Sequence, residues 1–185
     1  DDEWQLQITV AGLLCIFCTS QHGTLNELFE FVLTRLTAGN CQPIEAKVLL
    51  MVVAILRDAT KERADLHRML KVYLDSQLPT LLQQTTNNDQ LIIRAMKLYV
   101  VHKYNFFLSH LDQSFLAITA QLSLTIIQTE SLRDDQVLQI IALEIVANIC
   151  DIGEIVMSDS AEQTLRALIP LIQRPVNHRL FDALQ

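Results

Sequence analysis

Three thiol and imidazole side chains, Cys15, Cys18 and His22, stand at i, i+3 and i+7. On a helix that spacing puts them on one face, and zinc binds Cys and His. A closed zinc site needs a fourth ligand, usually from a second clustered pair, and only the scattered Cys41 and Cys150 could serve. The expectation is no metal and four reduced thiols buried among Leu, Ile and Val. A thioredoxin-like use of Cys15-Ile-Phe-Cys18 would require a βαβ setting that this stretch lacks.

Other chemistry finds less material. His67, His102, His110 and His178 have Asp or Ser neighbours, as in Ser109-His110-Leu111-Asp112, but adjacency in sequence does not assemble a nucleophile, a base and its orienting group. No Gly-x-Ser-x-Gly, phosphate-cradling glycine loop or His-Glu-x-x-His occurs, and four glycines leave little from which to build one. The chain is expected not to be an enzyme and to need no cofactor.

Charge offers a better candidate. Arg57 and Lys61, then Arg63, His67 and Lys71, step by four residues and form a stripe that could meet an acidic peptide or phosphates. The plainer use of such residues is a solvated face whose long side chains cover apolar helix surface. Residues 57 to 103 hold eight Lys or Arg against five acids, while residues 130 to 162 hold eight acids against Arg133 alone. The net charge of −7 argues against a broad nucleic-acid footprint, although a nucleic-acid-binding face in the basic middle stays open as an alternative.

These residues must be carried by helices. Of 185 residues half are hydrophobic and only 19% charged, so one domain with a large core is expected over 1–185. With the exception of Gly12, the few Gly and Pro residues fall where the apolar periodicity breaks between segments of helix length, and no hairpin turn signals occur. The pattern predicts helices near 2–20, 24–37, 43–59, 63–85, 89–109, 112–130, 134–151 and 160–174, with another starting near 176. Thr24 with Glu27 and Ser160 with Gln163 have capping-box spacing, Asn87 with Gln90 is a looser version, and Pro43 suits a first helical position. Pro79 should kink or split the fourth helix. The longest uninterrupted apolar run, Val48 to Leu56, is nine residues where a membrane span needs about 20. The chain opens Asp1-Asp2-Glu3-Trp4 with no secretory signal, and an intracellular protein, cytoplasmic or nuclear, is expected.

The helices near 2, 43, 89, 134 and 176 recur at intervals of 41 to 46 residues, with one partner between each successive pair. Leu78-Pro79-Thr80-Leu81-Leu82, then Asn88-Asp89, then Ile93-Arg94-Ala95 resembles the HEAT pattern: Leu-Pro-x-Leu-Leu, an acidic turn, then a second helix opening with a Val-Arg-like pair and a small residue. Leu168-Ile169-Pro170-Leu171-Ile172 with Asn177, Arg179, Ala183 and Leu184 echoes it, and Asp134 to Asp151 is similar to the third helix of an armadillo repeat.

The resemblance implies an all-α, α-α superhelix of about four helix pairs, cut from a larger solenoid, whose second helices line a concave side. Its implied function is a scaffold for a protein or peptide partner within an intracellular complex. Stacking would set Lys47, Arg94, Gln139 and Arg179 in a ladder, and in HEAT proteins the matching basic residue usually braces neighbouring repeats, with ligand contact as the other use. Tyr99, Tyr104, Phe106 and Phe107 could anchor a partner, or serve the core. Self-association through the solenoid ends is a further alternative.

Overall fold

The computed structural model describes residues 12–13, 16, 24–38, 40–83, 87–112, 114–128 and 136–152. Among them there is no strand. Six α-helices follow in order: α1 (Thr24–Thr37), α2 (Pro43–Ile55), α3 (Ala64–Gln77), α4 (Asn88–Leu111), α5 (Ser114–Gln128) and α6 (Gln136–Ile152). The protein is all-α in what is described. The helices expected at 160–174 and from 176 lie outside the described residues, as does most of the one expected at 2–20, of which positions 12, 13 and 16 are helical.

Local chemistry sets the helix limits. Pro43 opens α2, where its missing N–H removes no helical bond. The Asn87 side-chain oxygen accepts from the Asp89 and Gln90 amides and caps α4. Pro79 splits the fourth expected helix: α3 stops at Gln77 and the chain tightens into a 3₁₀ turn, Leu78–Leu82, since proline cannot donate the bond a continuing helix would need. Expected to run to residue 59, α2 ends earlier at Ile55. Beyond it the chain coils through short turns in which Thr60 donates from its backbone to Leu56 O at 3.0 Å and from its hydroxyl to Arg57 O at 2.9 Å.

The substantial packings all join helices one or two apart in order. α2 packs on α4 and α4 on α6; each also packs on the helix beside it in sequence, and α1 lies against α3. The turn after α2 and the latter halves of α4 and α6 meet in succession: Arg57 Nε donates to Lys103 O at 2.8 Å, and His102 Nδ1 lies 3.2 Å from Asn148 Nδ2. Both links span 46 residues and join α4 to the end of α2 on one side and to α6 on the other. The seams between layers bury Phe29, Leu50, Val53, Leu70, Leu74, Leu98, Tyr104, Leu108, Phe115, Ile126, Leu138 and Ile145. At about 25 cal/mol for each Å² of apolar surface removed from water, such side chains dominate what holds the helices together.

Candidate functional site

The predicted basic stripe is distributed over three environments. On the turn after α2, Arg57 is tied to Lys103 O, pairs with Asp58 at 2.9 Å and sets its guanidinium 5.3 Å from the centre of the Phe107 ring. Lys61 is exposed on the same turn. Arg63 grips both Asp65 oxygens and donates to Asn26 Oδ1 of α1; its hydrogen bonds hold the Asp65 carboxyl at about 2. Lys71 donates to Asp75 at 2.7 Å and reaches Asp112 at 3.1 Å, which raises its pKa and pins α3 to the α4–α5 turn. His67 is 4% exposed, stacked on Phe107 at 4.8 Å and edge-on to Tyr104 at 5.9 Å. Three of the five are thus engaged with acids and one is inside the core.

The expected ladder is also varied. Lys47 is half-buried near the start of α2. Arg94 is buried, and its Nη1 donates to Gln83 O at 3.0 Å, so it braces α4 to the 3₁₀ turn before it. Gln139 is fully buried on α6, and Arg179 lies outside the described residues. Two of the four aromatic candidates, Tyr104 and Phe107, are core residues, whereas Tyr99 is half-buried and Phe106 exposed.

Cys15, Cys18 and His22 lie outside the described residues, and of Cys150 only its place on α6 is described. Cys41 is a half-buried free thiol whose pKa is raised by burial and by Glu45, itself bound by Arg35 of α1. Among the described residues no three His, Cys, Asp or Glu side chains converge to hold a metal ion, and no described helix is long and apolar enough to cross a membrane. His102 has Glu144 Oε2 at 3.6 Å from Nε2, too far for a hydrogen bond. Burial, with Lys103 and Arg57 nearby, pushes this histidine down to about 4, so at neutral pH it is an uncharged bridge between α4 and α6 and not one half of an ion pair.

The even helices carry a feature that the charge pattern did not reveal. Val48 on α2, Ile92 on α4 and Val137 on α6 are 41%, 42% and 57% exposed, at sequence intervals close to the repeat length. Ile44 extends this stripe along α2. Along α4, Asp89, Ile92, Met96, Tyr99, Lys103 and Phe106 follow at spacings of three and four and are all at least partly accessible, which makes them one face of that helix. Lys103 covers the Tyr99 ring at 5.1 Å. The odd helices carry a comparable series, Phe31, Val72 and Ile118, also at repeat-length intervals, so what sets the even helices apart is that they pack on one another in succession. The recurrence of the even-helix stripe was present in the sequence, but a search for charge and chemistry passes over valine and isoleucine, which are presumed to be core.

Comparison of the chain with protein-family models, with curated proteins and with solved structures found no match.

Proposed function

We propose that this chain is a non-enzymatic scaffold of the HEAT and armadillo kind, an α-α superhelix that presents its even helices to a protein partner inside an intracellular complex. The observation that carries this reading is the aliphatic stripe Ile44, Val48, Ile92 and Val137, exposed on the successive even helices that pack on one another. A core residue on an all-buried helix would be covered; these recur uncovered, and repeated accessible apolar contacts are how an extended surface gains affinity from area and a few anchors. Packing supports the curvature. The even helices lie against one another in succession, whereas α3 and α5 have no packing of comparable extent, as expected when the odd helices splay on an outer side.

The test is a photo-crosslinking amino acid placed at Ile92, with Val72 on α3 as the control site, in the cells that express the protein. A partner captured from position 92, not from 72, and lost when Val48, Ile92 and Val137 are all changed to Glu in a chain that keeps its helical circular dichroism, supports the reading. Equal capture from both positions, or none from 92, refutes it. Capture of nucleic acid there, weakening steeply with salt, would favour the nucleic-acid alternative instead.

A further inference from the structure

The turn between α2 and α3, residues 56 to 63, has few apolar side chains with which to hold itself on α4. Leu56 is buried and Ala59 packs against the core, and the rest of the attachment is polar. Arg57 donates to Lys103 O and lies over the Phe107 ring. Tyr104 donates to Val53 O at 2.8 Å, and its oxygen lies 3.3 Å from the Thr60 hydroxyl. His67, at the start of α3, closes this cluster from beneath. Its plane is stacked 11° from that of Phe107, the same ring that Arg57 contacts. Its Nε2 is buried and has no hydrogen-bond partner.

A neutral ring meets these conditions. With its single proton on Nδ1, the ring leaves Nε2 a bare lone pair, and the stack is an ordinary apolar contact. A second proton would create a buried N–H with no acceptor, and would add a positive charge to a ring pair already holding Arg57. The charged groups around the cluster offer little relief. Asp65 on α3 favours the charged form but is held by both arms of Arg63; Asp58 is taken by Arg57; Lys61 on the turn and Lys103 on α4 are cations; α1 contributes the neutral Asn26 through Arg63. Desolvation outweighs them and lowers the His67 pKa below its ordinary value.

We infer that the α2–α3 turn is fastened to α4 by a latch that favours an uncharged His67, and that mild acid loosens it. This couples pH to the seam between two successive even helices, because Arg57, Thr60 and Tyr104 are shared by the turn and by α4.

Amide hydrogen exchange of residues 56 to 63, corrected for the intrinsic pH dependence of exchange, tests it at about pH 7.5 and about pH 5.5. The wild-type turn should lose protection by several-fold, with a ceiling of about tenfold set by the degree to which a free imidazole is protonated at the lower pH. In H67F, which retains an aromatic stack and cannot titrate, the turn should keep its protection. Amides of residues 138 to 149 in α6 report the separate response of His102 and should behave alike in both proteins. Equal protection of the wild-type turn at both pH values, or an undiminished loss in H67F, overturns the latch. If H67F does not fold, the wild-type turn is followed against the ring's own NMR titration: loss of turn protection that tracks a His67 midpoint below the free imidazole value of about 6.5 supports the latch, and a midpoint at or above that value refutes it.

Discussion

Replacing Tyr104 with Phe removes one oxygen from the seam between α2 and α4, and the structure fixes what that oxygen does. The Arg57 amide, which would close the next helical turn on Val53 O, donates to Ala54 O instead, and Leu56 donates to Val52 O. Val53 O is therefore one of the carbonyls that a helix end leaves over, and Tyr104 satisfies it from the next even helix at 2.8 Å. Both residues are fully buried, so water cannot take the place of the hydroxyl. Leaving a buried carbonyl unpartnered costs about 1–3 kcal/mol. Thr60 offsets little of this, since its hydroxyl already donates to Arg57 O. For a chain of this size each kcal/mol moves the thermal midpoint by about 2–4 °C. Urea unfolding of Y104F followed by far-ultraviolet circular dichroism should show a lower midpoint at unchanged m-value, with faster amide exchange at Val53 to Leu56. A variant within about 0.3 kcal/mol of wild type would refute the capping role, given a typical hydrogen-bond value near 1 kcal/mol.

Two further outcomes follow from groups nearby. Because His102 is pushed down to about 4 in the folded chain, its contribution is complete above the unfolded value near 6.5 and is lost as pH falls toward 4, where the unfolded chain binds a proton that the folded one resists. H102Q should flatten that part of the urea-midpoint profile against pH, and an unaltered slope would show that His102 does not cause it. R94M removes the donor to Gln83 O and should cost about 1–3 kcal/mol in the same unfolding assay, with the 3₁₀ turn at Leu78–Leu82 losing amide protection first. No loss in R94M would mean that the buried guanidinium is carried for some purpose other than bracing.

Helix type and order were legible because they depend on local chemistry: apolar periodicity, Pro43 at a start, Asn87 as a cap, Pro79 as a break. The fate of the basic stripe was not, because its partners are distant in sequence. Lys71 meets Asp112 from the far end of α4, and Arg63 meets Asn26 of α1, pairings that no spacing of four residues encodes. His67 was misleading in another way. Its step of four from Arg63 and to Lys71 suggested a solvated face, yet it also precedes Leu70 and Leu74 at three and seven residues, and that apolar row decides its direction. The end of α2 was misplaced for a related reason: apolar character continues to Leu56, while Tyr104 of α4 and the Thr60 hydroxyl set where the helical bonds stop.

The link from Arg57 to Lys103 and the one from His102 to Asn148 both cross 46 residues, so one join is made twice along the described chain. The chemistry of the two differs: the first uses a permanent cation and a backbone carbonyl, the second an uncharged ring and an amide. One join therefore keeps its charge at any pH at which the chain is folded, while the other depends on a ring that acid can protonate, so the two seams would answer acid differently.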